Sequence, residues 1–199
     1  MFNLIRAVRK YKDQIVKIGF FNASITNLDR FQFEIDKCKS CHEEKSLFVA
    51  NPNLNPVPES ICIDCLKTID IEITHRTKFG FVDADLPKGL EDAKLKVSRE
   101  SFSEMLKTPP YLTLQGENWL CHCKDFMEYI GRWEAPDFTN ESNDANGKKL
   151  FLEMTNKDYQ HLWEESELPD NEKEYTWGDV FYHTFECRHC KIKQGYWEA

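Results

Sequence analysis

Six of the eight cysteines stand in three CxxC pairs: Cys38 with Cys41, Cys62 with Cys65, and Cys187 with Cys190. A CxxC turn brings two thiolates to one point, and two such turns complete the tetrahedron that zinc prefers. The motifs CKSC at 38–41 and CIDC at 62–65 lie twenty residues apart, which is zinc-ribbon spacing. These four cysteines are therefore expected to hold one structural metal ion. The glycine common after a ribbon's second cysteine is missing from both turns, where His42 and Leu66 stand instead.

The third pair, in CRHC at 187–190, has Cys121-His122-Cys123 as its partner segment. In a strand, residues two apart share a face, so an extended segment would offer Cys121 together with Cys123. A turn would offer His122 with Cys123. The expected second site is Cys121, Cys123, Cys187 and Cys190, with His122 as the alternative ligand, and His189 is expected to face away from the metal. Each site closes with four protein ligands, which points to two structural Zn2+ ions and leaves no open position for catalysis. A Cys121–His122 nucleophile is disfavoured because adjacent residues rarely meet in the required geometry. A thioredoxin-type pair lacks its βαβ context. Glu164, Glu165 and Glu167 read as the solvated side of a helix.

Export would change the reading of the cysteines, because eight could form four disulfides in an oxidising compartment. The N-terminus, MFNLIRAVRKYKDQIVKIGFF, mixes charge among its apolar residues and lacks the pattern of a secretory signal. A cytoplasmic address follows as the expectation, and there metal is favoured over disulfides. Mean hydropathy is -0.61, and no run approaches the roughly 20 apolar residues needed to span a bilayer. No membrane partner is expected.

The formal charge of -8, with 34 acids against 26 bases, counts against a general nucleic-acid binder and suits a basic partner better. Charge is uneven: residues 1–17 carry five bases and one acid, while residues 134–179 carry thirteen acids and four bases. The acidic stretch reads either as an ordinary solvated face or as a surface that steers a partner.

The 199 residues, 41 % hydrophobic and 13 % aromatic, suffice for one large domain or two small ones. Leu4, Val8, Tyr11, Ile15 and Ile18 are spaced as one helical stripe, predicting a helix over 3–18 capped by Gly19. Its basic opposite face has the composition of a membrane-surface helix, but core packing accounts for it more simply. Alternation at Phe31, Phe33 and Ile35 predicts a strand into the first CxxC, and Ile69, Ile71 and Ile73 predict another after Cys65. Residues 51–58, with three prolines and three asparagines, read as a loop. A short helix is expected over 98–106, with Ser101 and Glu104 in capping-box spacing and Pro109 and Pro110 beyond it. Polar residues 137–148 read as an exposed loop without chemistry. Thr155 and Asp158 offer a cap for a helix over 156–166 that carries Tyr159, Leu162 and Trp163 on one face. A strand over 181–186 leads into the last CxxC, repeating the strand-then-CxxC order seen at Cys38.

The fold class is accordingly α+β: small antiparallel sheets with zinc-ribbon-like CxxC sites and a few packed helices. One domain is expected over 1–199, with a helical extension at 1–30, a first ribbon-like unit at 31–75 and a second cysteine cluster within 108–199.

Two CxxC pairs, then Thr108-Pro109, Trp119-Leu120-Cys121-His122-Cys123 and Tyr129-Ile130-Gly131, then Tyr182 and Cys187-Arg188-His189-Cys190, form an ordered set. Over roughly residues 31–199 this order resembles the CbrC-like bacterial family, whose founding member is linked to colicin tolerance. The resemblance implies a compact cytoplasmic protein that is not an enzyme, held together by its paired cysteines and associated with tolerance to a protein toxin. Relatives match at His122 and Cys123 but not at Cys121, and carry a further cysteine where this chain has Met127. The fourth ligand of the second site therefore stays open, with Cys121 as the candidate replacement. The first thirty residues also differ from the family.

These readings lead to an expected immunity or tolerance protein that binds a cognate, basic protein toxin directly. The toxin would be a bacteriocin or contact-delivered toxin of nuclease type, with Trp163 or Trp177 as anchors and the acidic surface steering association. The alternative is a zinc-ribbon regulator or adaptor acting on nucleic acid or a transcription assembly through a stripe of Arg6, Arg9, Lys10 and Lys17. A zinc hydrolase is a third reading, and its mark would be an open metal position with a carboxylate in reach.

Overall fold

The computed structural model describes residues 14–24, 27, 31–48, 61–68, 75–77, 80–82, 97–155, 160–166 and 181–198. In chain order the first elements are β1 (Ile15–Ile18), β2 (Phe21–Ser24), β3 (Phe31–Lys37), β4 (Glu44–Phe48), β5 (Ile61–Cys62) and α1 (Ile63–Thr68). The pair β6 (His75–Thr77) and β7 (Gly80–Val82) precedes α2 (Arg99–Leu106). Next come β8 (Cys121–His122), β9 (Asp125–Phe126) and β10 (Glu128–Trp133), then helices α3 (Ala135–Glu141), α4 (Gly147–Met154) and α5 (Gln160–Ser166). The hairpin of β11 (Phe181–Glu186) and β12 (Lys193–Glu198) completes the set. The α+β class with small sheets and CxxC sites is as expected.

The main sheet runs β1-β2-β10-β11-β12, with only β2 and β10 parallel. A second sheet, β3-β4-β5, carries the first two CxxC pairs at its ends. Successive strand residues point to opposite faces. Thus Tyr196 packs against the cluster of Phe20, Phe21, Tyr111, Trp119, Phe126, Tyr129 and Phe185. Its neighbour Trp197 packs instead against Trp133, Phe138, Phe151, Trp163 and Tyr182. The main sheet is therefore covered on both faces, by an aromatic core and by the helices. Tyr111 stacks on Tyr129 at 4.4 Å between centroids, at the middle of the first cluster. Cys38, Cys62 and Cys187 belong to that same cluster, so the cysteine sites grow out of the core.

The helix expected over 3–18 is not what residues 15–18 form. Val16 is 0 % and Ile18 8 % exposed while Ile15 is 63 % exposed, a period of two. The chain turns at Gly19, φ 57°, so that Ile18 pairs with Phe21. A Cβ at Gly19 would stand 2.2 Å from Thr108 Oγ1, the hydroxyl that accepts the Phe20 amide at 3.0 Å. Hairpin pairing with the adjacent strand β2 thus overrides the helical spacing and puts Val16 and Ile18, not Ile15 and Ile18, on the buried face. Residues 3–13 of that helix lie outside the described residues, as do the loop over 51–58 and the strand around Ile69, Ile71 and Ile73.

The strands expected before the first and last CxxC are β3 and β11. The helix expected over 98–106 is α2, but its cap is Ser98, whose hydroxyl accepts from the Ser101 amide, rather than the Ser101 and Glu104 pair. The exposed loop expected at 137–148 is mostly helix. Glu134 and Asp137 form a reciprocal capping box, Pro136 lies in the first turn, and Phe138 is fully buried. Phe138 meets Trp133, Phe151, Trp163 and Tyr182 at 5.1–6.1 Å. One buried aromatic ring outweighs the polarity around it. Thr155 closes α4, its hydroxyl donating to the Phe151 carbonyl, and of the helix expected over 156–166 the described part is α5, with Asp158 and Tyr159 outside the described residues. Trp163, a candidate surface anchor, is only 5 % exposed inside the helical cluster, and Trp177 lies outside the described residues.

Candidate metal centres

Cys38 and Cys41 sit in a tight turn between β3 and β4. The Cys38 amide donates to the Glu43 carbonyl at 3.0 Å and the His42 amide to the Cys38 carbonyl at 2.8 Å. His42 takes φ 61°, the left-handed conformation for which ribbons use glycine, so the turn is kept at some strain. The second pair is built differently. Cys62 ends β5 and Cys65 lies in the first turn of α1, where Leu66 is buried as a helix residue and no glycine is called for. The four Sγ atoms lie within 4.8 Å of one another. Cys38 Sγ also accepts the amides of Cys62 at 3.2 Å and Ser40 at 3.4 Å.

These contacts set the charge of the cluster. Burial pushes the Cys38 thiol up, but the amides of Cys41, Cys62 and Ser40 outweigh it and bring the pKa down to about 6. Burial raises Cys62 to about 12, with the sulfurs of Cys65, Cys38 and Cys41 adding to the effect. A thiolate held by amides beside thiols that resist ionisation is a donor set short of a cation, and a metal ion would displace the remaining protons.

The second centre repeats the turn. Between β11 and β12 the Cys187 amide donates to the Ile192 carbonyl at 2.9 Å, the Lys191 amide donates to the Cys187 carbonyl at 3.0 Å, and Lys191 takes φ 61°. The partner segment is the β8–β9 hairpin, where Cys121 pairs with Phe126 and His122 with Asp125. Its two-residue loop is Cys123 and Lys124, at φ 49° and 63°. Two positive φ values in a two-residue hairpin are the mark of a type I′ turn. Here the extended expectation fails. The turn brings Cys123 to the side of His122, and Cys121 is left out.

His122 Nδ1 lies 3.3 Å from both Cys123 Sγ and Cys190 Sγ, and those sulfurs are 3.7 Å apart. The converging set is His122, Cys123, Cys187 and Cys190, all within 4.8 Å. Cys121 packs against the core with its Sγ directed to the Trp119 carbonyl at 3.9 Å. The structure thus brings together three of the four expected ligands and the alternative, His122, in place of Cys121. Cys187 is 1 % exposed. Its thiol is pushed up by burial, but the amides of Cys190 and His189 and the His122 ring bring it below the ordinary range. Cys123 is raised to about 11 by its neighbour Cys190 first, then by burial.

The two residues inside the last CxxC, Arg188 and His189, anchor the turn. His189 Nε2 meets Asp125 Oδ2 at 2.9 Å, tying the turn to the hairpin that carries His122 and Cys123. The Arg188 guanidinium donates to both Glu104 carboxylate oxygens at 2.7 and 2.9 Å and to the Gly19 carbonyl. It also lies 3.8 Å from the centroid of the Phe20 ring. A charged residue between two cysteines was the only sequence signal for this; its partners are 84 and 169 residues away.

Four thiolates, or three and an imidazole, suit a soft or borderline divalent cation, so both clusters can hold a metal ion. Among the described residues no helix is long and apolar enough to cross a membrane. Of the basic stripe, Lys17 stands on β1 and pairs with Glu128 at 2.9 Å, while Arg6, Arg9 and Lys10 lie outside the described residues. Glu164 is exposed, paired with Lys148 at 3.3 Å, on the solvated side of α5 as expected.

No curated protein and no solved structure matches the chain. A family profile matches residues 20–198, which take in both cysteine centres, and the chain therefore belongs to an uncharacterised protein family, UPF0167.

Proposed function

We propose that this chain is a non-enzymatic zinc protein whose two centres stiffen a surface for binding another protein, and that the partner is a basic protein toxin which it neutralises. The observation that carries the reading is the closure of both donor sets. In each, four side chains converge within 4.8 Å, and Zn2+ held by four protein ligands keeps no position for a water nucleophile. The metal supplies cross-linking between segments distant in sequence. Cys38 and Cys41 hold the β3–β4 turn against α1, and Cys187 and Cys190 hold the β11–β12 turn against the β8–β9 hairpin.

The toxin reading rests on the family resemblance, with UPF0167 taken as the colicin-tolerance family, and on charge. Around α3 to α5, Glu134, Glu141, Asp144, Glu153 and Glu164 are exposed. Among the described residues there, Lys149 is engaged with Asp144 at 3.1 Å and Lys148 with Glu164 at 3.3 Å. An acidic face of this kind accelerates encounter with a cationic partner. The address proposed is the cytoplasm, where thiolates stay reduced for zinc.

The test is co-expression with the toxin encoded beside the gene, scoring survival and co-purification together. Protection with a stable, salt-weakened complex supports the reading. Neither protection nor complex, combined with tight and steeply salt-dependent binding to nucleic acid, would transfer the assignment to the regulator or adaptor.

A further inference from the structure

The two centres differ in how their sulfurs meet solvent and in what holds them without metal. In the first, Cys38 is 0 % and Cys62 1 % exposed, and the close sulfur pair, Cys41 and Cys62 at 3.9 Å, has a buried member. In the second, Cys123 and Cys190 are both exposed, 3.7 Å apart, and carried by different elements. Among the described residues, the ion pairs bridging the first turn to α1 reduce to exposed Lys45 with Asp64 at 3.2 Å. The second turn is tied to the rest of the fold by side chains that are not ligands, the part-buried Arg188 fork on Glu104 and the exposed His189 contact to Asp125.

We propose that the second centre is an oxidant-responsive modification site, where a two-electron oxidant of the peroxide class converts Cys123 and Cys190 to a disulfide and expels the metal. The inference rests on zinc occupying that centre. One exposed thiolate attacks the peroxide; an S–O bond forms, the O–O bond breaks, and water leaves after protonation, giving a sulfenic acid. The second thiolate attacks that sulfur; the S–S bond forms, the S–O bond breaks, and hydroxide leaves as a second water. Both electrons taken by the peroxide come from the two sulfurs. His122 and Cys187 alone do not retain the ion. The disulfide then joins the turn to the hairpin in place of the metal, and Arg188 and His189 preserve the registration that allows reduction and reloading.

The test uses the full chain with its zinc content first determined by elemental analysis. Absence of zinc from the second centre at that stage defeats the metal reading itself. With both centres loaded, hydrogen peroxide is added while released zinc is read with a metallochromic chelator, and disulfides are mapped by non-reducing peptide mass spectrometry. The expected result is loss of one of the two zinc equivalents, a Cys123–Cys190 link and unchanged circular dichroism. A thiol reductant with zinc should restore the second equivalent. Cys121→Ser should respond as the parent does. Simultaneous loss of both ions with unfolding, retention of both ions, or a Cys187–Cys190 link in place of Cys123–Cys190 would each overturn the proposal.

Discussion

Replacing Cys62 by Ser removes the sulfur on which the first centre turns. Cys62 ends β5, is 1 % exposed, and its amide donates to Cys38 Sγ at 3.2 Å, so it lies at the junction of both CxxC pairs. Serine keeps the amide and is only a little smaller, but offers a weakly coordinating hydroxyl. A closed structural zinc site contributes about 10–16 kcal/mol of apparent folding free energy near pH 7, while an entire domain is stable by about 5–15 kcal/mol. Among the described residues, the strand pairing and ion pairs within the unit are few. β4 and β5 share two residue pairs, Leu47 with Cys62 and Phe48 with Ile61, and the Lys45 ion pairs are exposed and screened. Ile61, Ile63 and Leu66 share the core cluster of Phe20, Trp119 and Phe185, so loss of the metal should reach the main sheet. Cys62→Ser is therefore expected to bind one zinc fewer by elemental analysis and to melt far below the parent, with early loss of near-ultraviolet dichroism from the core aromatics. A variant with full zinc content and a parental melting curve would refute the reasoning.

Phe138→Ala empties a fully buried ring position among four aromatic neighbours. It should cost about 3–5 kcal/mol in chemical denaturation without changing zinc content, and a cost near zero would show that the helices do not rest on that ring. Glu198→Gln disturbs a carboxylate that accepts from the Leu114 and Gln115 amides, the Thr113 hydroxyl and His183. A loss of about 2–3 kcal/mol is expected, read in the same assay. His183, fully buried, has its pKa lowered by burial despite Glu198 beside it. The unfolded chain then takes the proton first, so stability should fall as pH drops below about 6.5. The parent should lose more than His183→Gln between about pH 7 and pH 5, and equal losses would remove His183 from the account.

Legibility in the sequence followed the range of the interaction. The three CxxC pairs pointed to two cysteine clusters and most of their members, because the turn that makes a pair is local. The strand β3 was readable from alternation, β3 and β11 from their place before a cysteine turn, and α2 from the prolines beyond it, although its cap is Ser98 rather than the expected Ser101 and Glu104 pair. The role of His122 needed tertiary structure. Nothing in Cys121-His122-Cys123 states that Cys123 and Lys124 adopt positive φ, and only the turn they form exchanges one candidate ligand for the other. Ile15 and Ile18, three apart, suited a helical stripe, but pairing with Phe21–Ser24 makes a strand whose buried face carries Val16 and Ile18 and leaves Ile15 outside. Phe138 lay in a polar stretch whose composition said loop, and its burial against Tyr182 depends on a strand more than forty residues later. Arg188 is the sharpest case. Its chemistry is written in the sequence, but its anchorage on Glu104 and Gly19 exists only because folding brings the last CxxC turn against the first hairpin, and contacts at that separation have no local signature.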